Sequence, residues 1–145
     1  MINNRIQIVT ERPLPQYATP GAAAFDVAAD LAEALSIFPG EVAKIPTGVK
    51  LGVPPGTALF ILPRSHFGRK HIKIANSPGL LDEDFIGEMF VLLENQSQEL
   101  LVIKPGDIVA QCMLVPYIRA EFFRVPSLTP TVRGEGGEGH TGGVL

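Results

Sequence analysis

Apolar residues in this chain fall into short β-prone runs bounded by proline, glycine and asparagine. Ile6–Thr10 precedes Pro13 and Pro15, Glu41–Ile45 meets Pro46, Val49–Val53 meets Pro54-Pro55-Gly56, and Ala58–Leu62 meets Pro63. Glu88–Leu93 and Leu100–Ile103 flank Asn95–Glu99, which reads as a hairpin connection. Ile108–Ile118 is a long apolar strand entered through Gly106-Asp107, which reads as a second hairpin turn. Short strands at this spacing predict an all-β sandwich, jelly roll or barrel. One stretch competes as helix: Ala28–Leu35 is alanine-rich, and Asp30 is suited to cap it.

The pattern changes after Val125. Residues 126–145 carry little apolar material and include Arg133-Gly134-Glu135-Gly136-Gly137-Glu138-Gly139-His140-Thr141-Gly142. The chain therefore divides into a β-rich core, 1–125, and a glycine-rich C-terminal tail, 126–145. By composition the tail reads as a disordered terminus. The functional alternative is a strap whose backbone N–H groups close over phosphate oxygens, with Arg133 adding charge.

Composition narrows the function classes. A chain of 145 residues, 46% hydrophobic and with a net charge of −3, describes one globular domain with enough material for a core. The 12 Lys and Arg residues against 15 Asp and Glu leave no basic field for nucleic acid, so any polyanion recognised is small and locally held. The one cysteine, Cys112, sits in the apolar run Ile108–Val115 and reads as a core thiol; it excludes an internal disulfide and a multi-cysteine zinc site. Met1–Arg5 lacks a signal-like apolar stretch and no run of 18 apolar residues occurs, so a cytoplasmic protein with no membrane partner is expected.

Polar residues stand at several strand ends. Pro63-Arg64-Ser65 closes a strand with a guanidinium, whose rigid fork of donors suits phosphate, and a hydroxyl. Asp82 follows Gly79-Leu80-Leu81 and is either a general base for water or a turn residue. Gln111 brings an amide into an otherwise apolar strand, and Asp26 follows the small residues from Gly21 to Ala24. No Walker loop or H-E-x-x-H spacing is present, and His66, His71 and His140 form no metal motif. The cluster His66, Arg69, Lys70, His71 and Lys73 lacks interleaved aromatics and reads as a solvated loop.

Taken in order, these segments resemble the five motifs of the trimeric dUTPase family over roughly residues 20 to 142. They are Pro20-Gly21 through Phe25-Asp26-Val27; Pro63-Arg64-Ser65; Asn76 with Gly79-Leu80-Leu81-Asp82 and Gly87-Glu88; Gly106-Asp107 with Ala110-Gln111 and Pro116; and Arg133-Gly134 with Gly137, Gly139 and Thr141-Gly142. The resemblance implies an all-β, jelly-roll or β-clip subunit in a homotrimer, whose C-terminal tail crosses to a neighbouring active site. It implies hydrolysis of dUTP, or a related deoxynucleoside triphosphate, to the monophosphate and pyrophosphate with Mg²⁺. Asp82 would deprotonate the attacking water, and Arg64, Ser65 and Gln111 would contact phosphates. Asn76 and Phe85 would meet the nucleoside, Asp26 would orient waters around the metal, and Arg133 with Gly137, Glu138, Gly139, His140 and Thr141 would close over the substrate.

The chain departs from the family pattern at four places. His66 stands where the family usually has glycine, Phe85 where it has tyrosine and Ile108 where it has arginine. Gly137-Glu138-Gly139-His140 replaces Gly-Phe-Gly-Ser. Phe85 keeps an aromatic ring for the deoxyribose and loses only the polar tip. Glu138 cannot stack on uracil, a contact worth ~1–3 kcal/mol. His66 is expected to crowd a position where backbone otherwise approaches closely. A slower dUTPase is the reading kept; the alternatives are a triphosphatase for a different or modified base, or a nucleotide-binding regulator with little turnover.

Overall fold

The computed structural model describes residues 3–137 and Gly142. Ten strands and one short helix occur among them: β1 (Gln7–Val9), β2 (Phe25–Ala28), β3 (Leu35–Ile37), β4 (Val42–Gly52), β5 (Thr57–Leu62), α1 (Ser65–Arg69), β6 (Ile72–Ile74), β7 (Gly79–Leu81), β8 (Glu88–Asn95), β9 (Leu101–Ile103) and β10 (Ile108–Pro116). Two four-stranded sheets, β1-β4-β8-β6 and β2-β10-β5-β7, are joined by the two-stranded pair β3-β9, and all pairings are antiparallel. This is the all-β jelly-roll class expected from the strand spacing. Strand alternation explains the core: Phe25 and Val27, Leu59 and Ile61, and Met89, Val91 and Leu93 point inward at every second position. Cys112 is fully buried among them with its sulfur 3.8 Å from that of Met89, as its apolar run suggested.

Four local expectations are overturned. Ala28–Leu35 is not helical: Ala28 ends β2, and Leu35 opens β3. Alanine propensity yields here to pairing of Leu35 with Ile103 and burial of Ile37. The two hairpins expected at Asn95–Glu99 and Gly106-Asp107 join unpaired strands, because β8 pairs with β4 and β6, β9 with β3, and β10 with β2 and β5. Pro46 does not end a strand. β4 runs through it, with a register shift against β8 between Pro46 and Val49, where Gly48 takes a φ of +66°. Finally, the basic cluster expected in a loop forms α1 and the start of β6, although His66, Arg69, Lys70, His71 and Lys73 are all exposed as expected.

Buried polar groups are few and satisfied. Asn95, fully buried, donates to the carbonyls of Ile37 and Glu99 and accepts from the N–H and hydroxyl of Ser97, so one amide pins both ends of the β8–β9 connection. Thr47, at the β4 bulge, donates to the carbonyl of Met89 at 2.5 Å. Beyond Pro116 the chain has no strand or helix among the described residues. Ile118, Phe122, Phe123, Leu128 and Val132 are almost wholly exposed there.

Candidate active site

Three distant segments meet at one end of the β2-β10-β5-β7 sheet. Gln111 of β10 stands opposite Asp26 of β2 on one side and Leu62 of β5 on the other. Residues opposed across antiparallel strands project from the same face, so Asp26 and Gln111 share a face at the point where β5 ends. There the chain turns through Pro63 and Arg64 into α1. The Gln111 side-chain amide donates to the Pro63 carbonyl at 2.9 Å, which fixes the start of that turn. Arg64 Nε lies 3.8 Å from Asp26 Oδ1, and the two side chains are 37% and 30% exposed. Ser65, the first residue of α1, is exposed. The result is an open corner of guanidinium, hydroxyl, amide and carboxylate, the donor set suited to phosphate oxygens and a hydrated cation.

A second set gathers around β7, which pairs with β5 through Gly79 and Ile61, Leu80 and Phe60, and Leu81 and Leu59. Gly79 is required there, since a Cβ would lie 2.9 Å from that of Ile61. Asn76, before β7, and Asp82 and Phe85, after it, line a cavity of about 150 Å³ with Leu81, Met89 and Phe90. The Phe85 ring lies over Gly87, where an added Cβ would meet ring carbon Cζ at 2.6 Å. A polar mouth over an apolar floor suits a flat heterocycle with its sugar.

The loop carrying Asp82 is closed by a hydrogen bond from the Phe85 N–H to the Asp82 carbonyl, 3.2 Å. Next to Asp82, Glu83 Oε2 accepts from the Tyr117 hydroxyl at 2.7 Å and from the Gly56 N–H at 2.6 Å. The Tyr117 hydroxyl, followed by the Gly56 N–H, holds the Glu83 carboxyl below its usual range, and the same contact raises the Tyr117 phenol. This link was missed in the sequence. Glu83 and Tyr117 lie 34 positions apart, and no local pattern joins them.

Of the residues singled out in the sequence, Asp26, Arg64, Ser65 and Gln111 are brought together at the corner. Asn76, Asp82 and Phe85 are brought together at the cavity. Among the described residues Arg133 joins neither set; it donates to the carbonyls of Gly136 and Gly137 in its own exposed segment. Glu138, Gly139, His140 and Thr141 lie outside the described residues. His66 is the second residue of α1, a conformation open to any L-residue, and it is exposed.

The fold is of the all-β, jelly-roll class, and the two residue groups carry the side chains suited to a phosphate-bearing ligand. A family profile described as dUTPase matches residues 10–142, and the chain belongs to the dUTPase family. It is 46% identical over 132 residues to the deoxyuridine 5′-triphosphate nucleotidohydrolase of Enterobacter sp. (strain 638), covering 90% of this chain and 87% of that protein. It is 44% identical over 138 residues to that of Shewanella woodyi, covering 94% and 91%. Among solved structures it is similar to the Staphylococcus bacteriophage 80alpha dUTPase with dUPNHPP, with a TM-score of 0.80 at 22% identity over 95% of this chain and 98% of the other. It is also similar to a variant dUTPase from phage phi11 of S. aureus, in which a structural Mg(II) ion is coordinated, with a TM-score of 0.75 at 22% identity over 86% and 98%. No helix among the described residues is long and apolar enough to cross a membrane.

Proposed function

We propose that this protein hydrolyses dUTP to dUMP and pyrophosphate. The observation that carries the reading is the convergence of Asp26 and Gln111, opposed on one rung of the sheet, with Arg64 just past the end of β5, beside Ser65. Family membership and relatives 44–46% identical support the same reaction. Arg64, Ser65 and Gln111 bind the phosphate chain, and their positive and dipolar groups offset charge that builds up as the leaving pyrophosphate separates. Asn76 and Phe85 receive the nucleoside. Asp82 holds a water and takes its proton as the water oxygen bonds to the α-phosphorus. The bond from that phosphorus to its bridging oxygen breaks, and pyrophosphate leaves.

The residues fit Mg²⁺ as a passenger of the substrate. Among the described residues no group of three or more His, Cys, Asp or Glu side chains could hold a metal. A lone, partly exposed carboxylate at Asp26 beside a guanidinium suits an ion already held by phosphates and waters, touched through water. When bound, the ion supplies neutralisation of phosphate charge.

The active enzyme is a homotrimer whose tails exchange. Within one chain Asp26 and Asp82 line different cavities, and among the described residues Arg133 donates within its own segment. Between Ile118 and Val132 the apolar side chains of Ile118, Phe122, Phe123, Leu128 and Val132 are exposed among the described residues. Assembly unites the corner of one chain, the cavity of a second, and the strap Arg133, Gly137, Glu138, Gly139, His140 and Thr141 of a third. Glu138 in that strap leaves uracil without an aromatic lid, so turnover is slower than in relatives that stack.

The test is pyrophosphate release with Mg²⁺ across dUTP, dTTP, dCTP, dATP, dGTP and UTP, with Asp82→Ala as control. Turnover of dUTP that is lost in the control supports the reading. Preference for another base would make Glu138 a specificity determinant, and no turnover on any nucleotide would leave a binding protein.

A further inference from the structure

β7 is only three residues long and is the outer strand of its sheet, bonded to β5 alone. The turn that follows carries Asp82 at its start and Phe85 at its end, and its internal bond is the single one from the Phe85 N–H to the Asp82 carbonyl. A turn on so short an edge strand has little to hold it. Glu83 supplies the missing anchor. Its Oε2 accepts from both the Gly56 N–H and the Tyr117 hydroxyl, and the Tyr117 N–H donates back to the Gly56 carbonyl at 3.2 Å. Gly56, at a φ of +78°, is the tip of the turn entering β5, and Tyr117 immediately follows β10. One carboxylate therefore ties the turn to the ends of the two strands at the centre of the sheet. Arg119, near the same cleft beside Asp82 and Glu83, keeps it from being uniformly acidic.

We infer that Glu83 is a positioning residue for dUTP hydrolysis, holding Asp82 and Phe85 in place through its shared bond to Gly56 and Tyr117. It touches no substrate; it acts by restricting the turn on which the base and the sugar-facing ring both ride. The inference rests on the proposed role of Asp82, and the test separates the two.

Steady-state kinetics on dUTP would be measured for Glu83→Ala, Glu83→Gln, Tyr117→Phe, the Glu83→Ala/Tyr117→Phe pair and Asp82→Asn, each checked for trimer mass and melting temperature. A misplacement on the order of 1 Å can cost roughly 100-fold, so a loosened turn in Glu83→Ala is expected to lower kcat by about 10- to 100-fold, with KM moving less than about 3-fold. Glu83→Gln keeps an acceptor oxygen and should recover most of kcat. Tyr117→Phe should lose part of it, and the pair should be no worse than Glu83→Ala alone, because both remove one clamp. If Asp82→Asn abolishes turnover while Glu83→Ala keeps wild-type kcat, the clamp is wrong and the reading of the site stands. An active Asp82→Asn overturns the reading itself. Should Glu83→Ala fail to assemble, the Gln and Phe variants decide: wild-type kcat in Tyr117→Phe, or a Gln variant as slow as a folded Asp82→Asn, overturns the clamp.

Discussion

Gly87→Ala offers a sharp test of the nucleoside cavity, because one methyl group reports on one ring. The new Cβ would lie 2.6 Å from Cζ of Phe85 and 3.0 Å from Cε2, distances at which the ring has to move. Phe85 is 38% exposed, so it can swing toward solvent without opening the core, and the cost to folding is small. On the proposed placement of Phe85, the cost to catalysis is the contact between ring and deoxyribose. A phenylalanine buries ~150–250 Å², and one ring face is about a quarter of that, on the order of 40–60 Å². At ~25 cal/mol per Å² this is about 1–1.5 kcal/mol, or roughly a 5- to 12-fold fall in kcat/KM. The expected result is that fall with an unchanged melting temperature, together with weaker discrimination against UTP if the ring stands against the sugar as proposed. In a Phe85→Ala background the same substitution should do almost nothing, since the atoms it displaces are gone. Unaltered kcat/KM in Gly87→Ala, or equal losses in the presence and absence of the ring, would refute the placement of Phe85 against the sugar.

Three further outcomes follow from the geometry. Gln111→Ala frees the Pro63 carbonyl and, on the proposed reading of the corner, removes one phosphate donor. A hydrogen bond of this kind contributes about 0.5–1.5 kcal/mol, so kcat/KM for dUTP should fall by roughly 2- to 12-fold with the fold intact by circular dichroism. Asn95→Leu strands the carbonyls of Ile37 and Glu99, and at ~1–3 kcal/mol for a buried orphan it should lower the urea midpoint clearly while leaving the active corner unchanged. Burial pushes the Cys112 thiol up to about 12 from an ordinary 9, so the folded state favours the protonated form. Stability from this source is present below pH 9 and is lost progressively as pH rises toward 12; Cys112→Ala should flatten that part of the melting-temperature profile. The native thiol should also resist iodoacetamide at pH 8 and react once the protein is unfolded.

Much of this protein is legible in its residues. Short apolar runs between prolines and glycines foretell an all-β fold, because a strand needs only local alternation and a turn needs only its special residues. The ordered motifs single out Asp26, Arg64-Ser65, Asn76, Asp82, Phe85 and Gln111 as candidates, because the motifs they resemble are built of particular side chains. Pairing was not legible. Asn95–Glu99 and Gly106-Asp107 have the composition of hairpin turns, yet the strands they join are drawn apart by partners elsewhere, β4 for β8, β3 for β9 and β2 with β5 for β10. Ala28–Leu35 has helical propensity, and the burial of Ile37 outweighs it. The meeting of Asp26 with Arg64, the pinning of Pro63 by Gln111 and the anchoring of Glu83 by Tyr117 arise only when strands far apart in sequence share a rung or an edge. Local chemistry is written residue by residue, but register is set by the core as a whole, since a slip of one position would turn every buried side chain of a strand out into water.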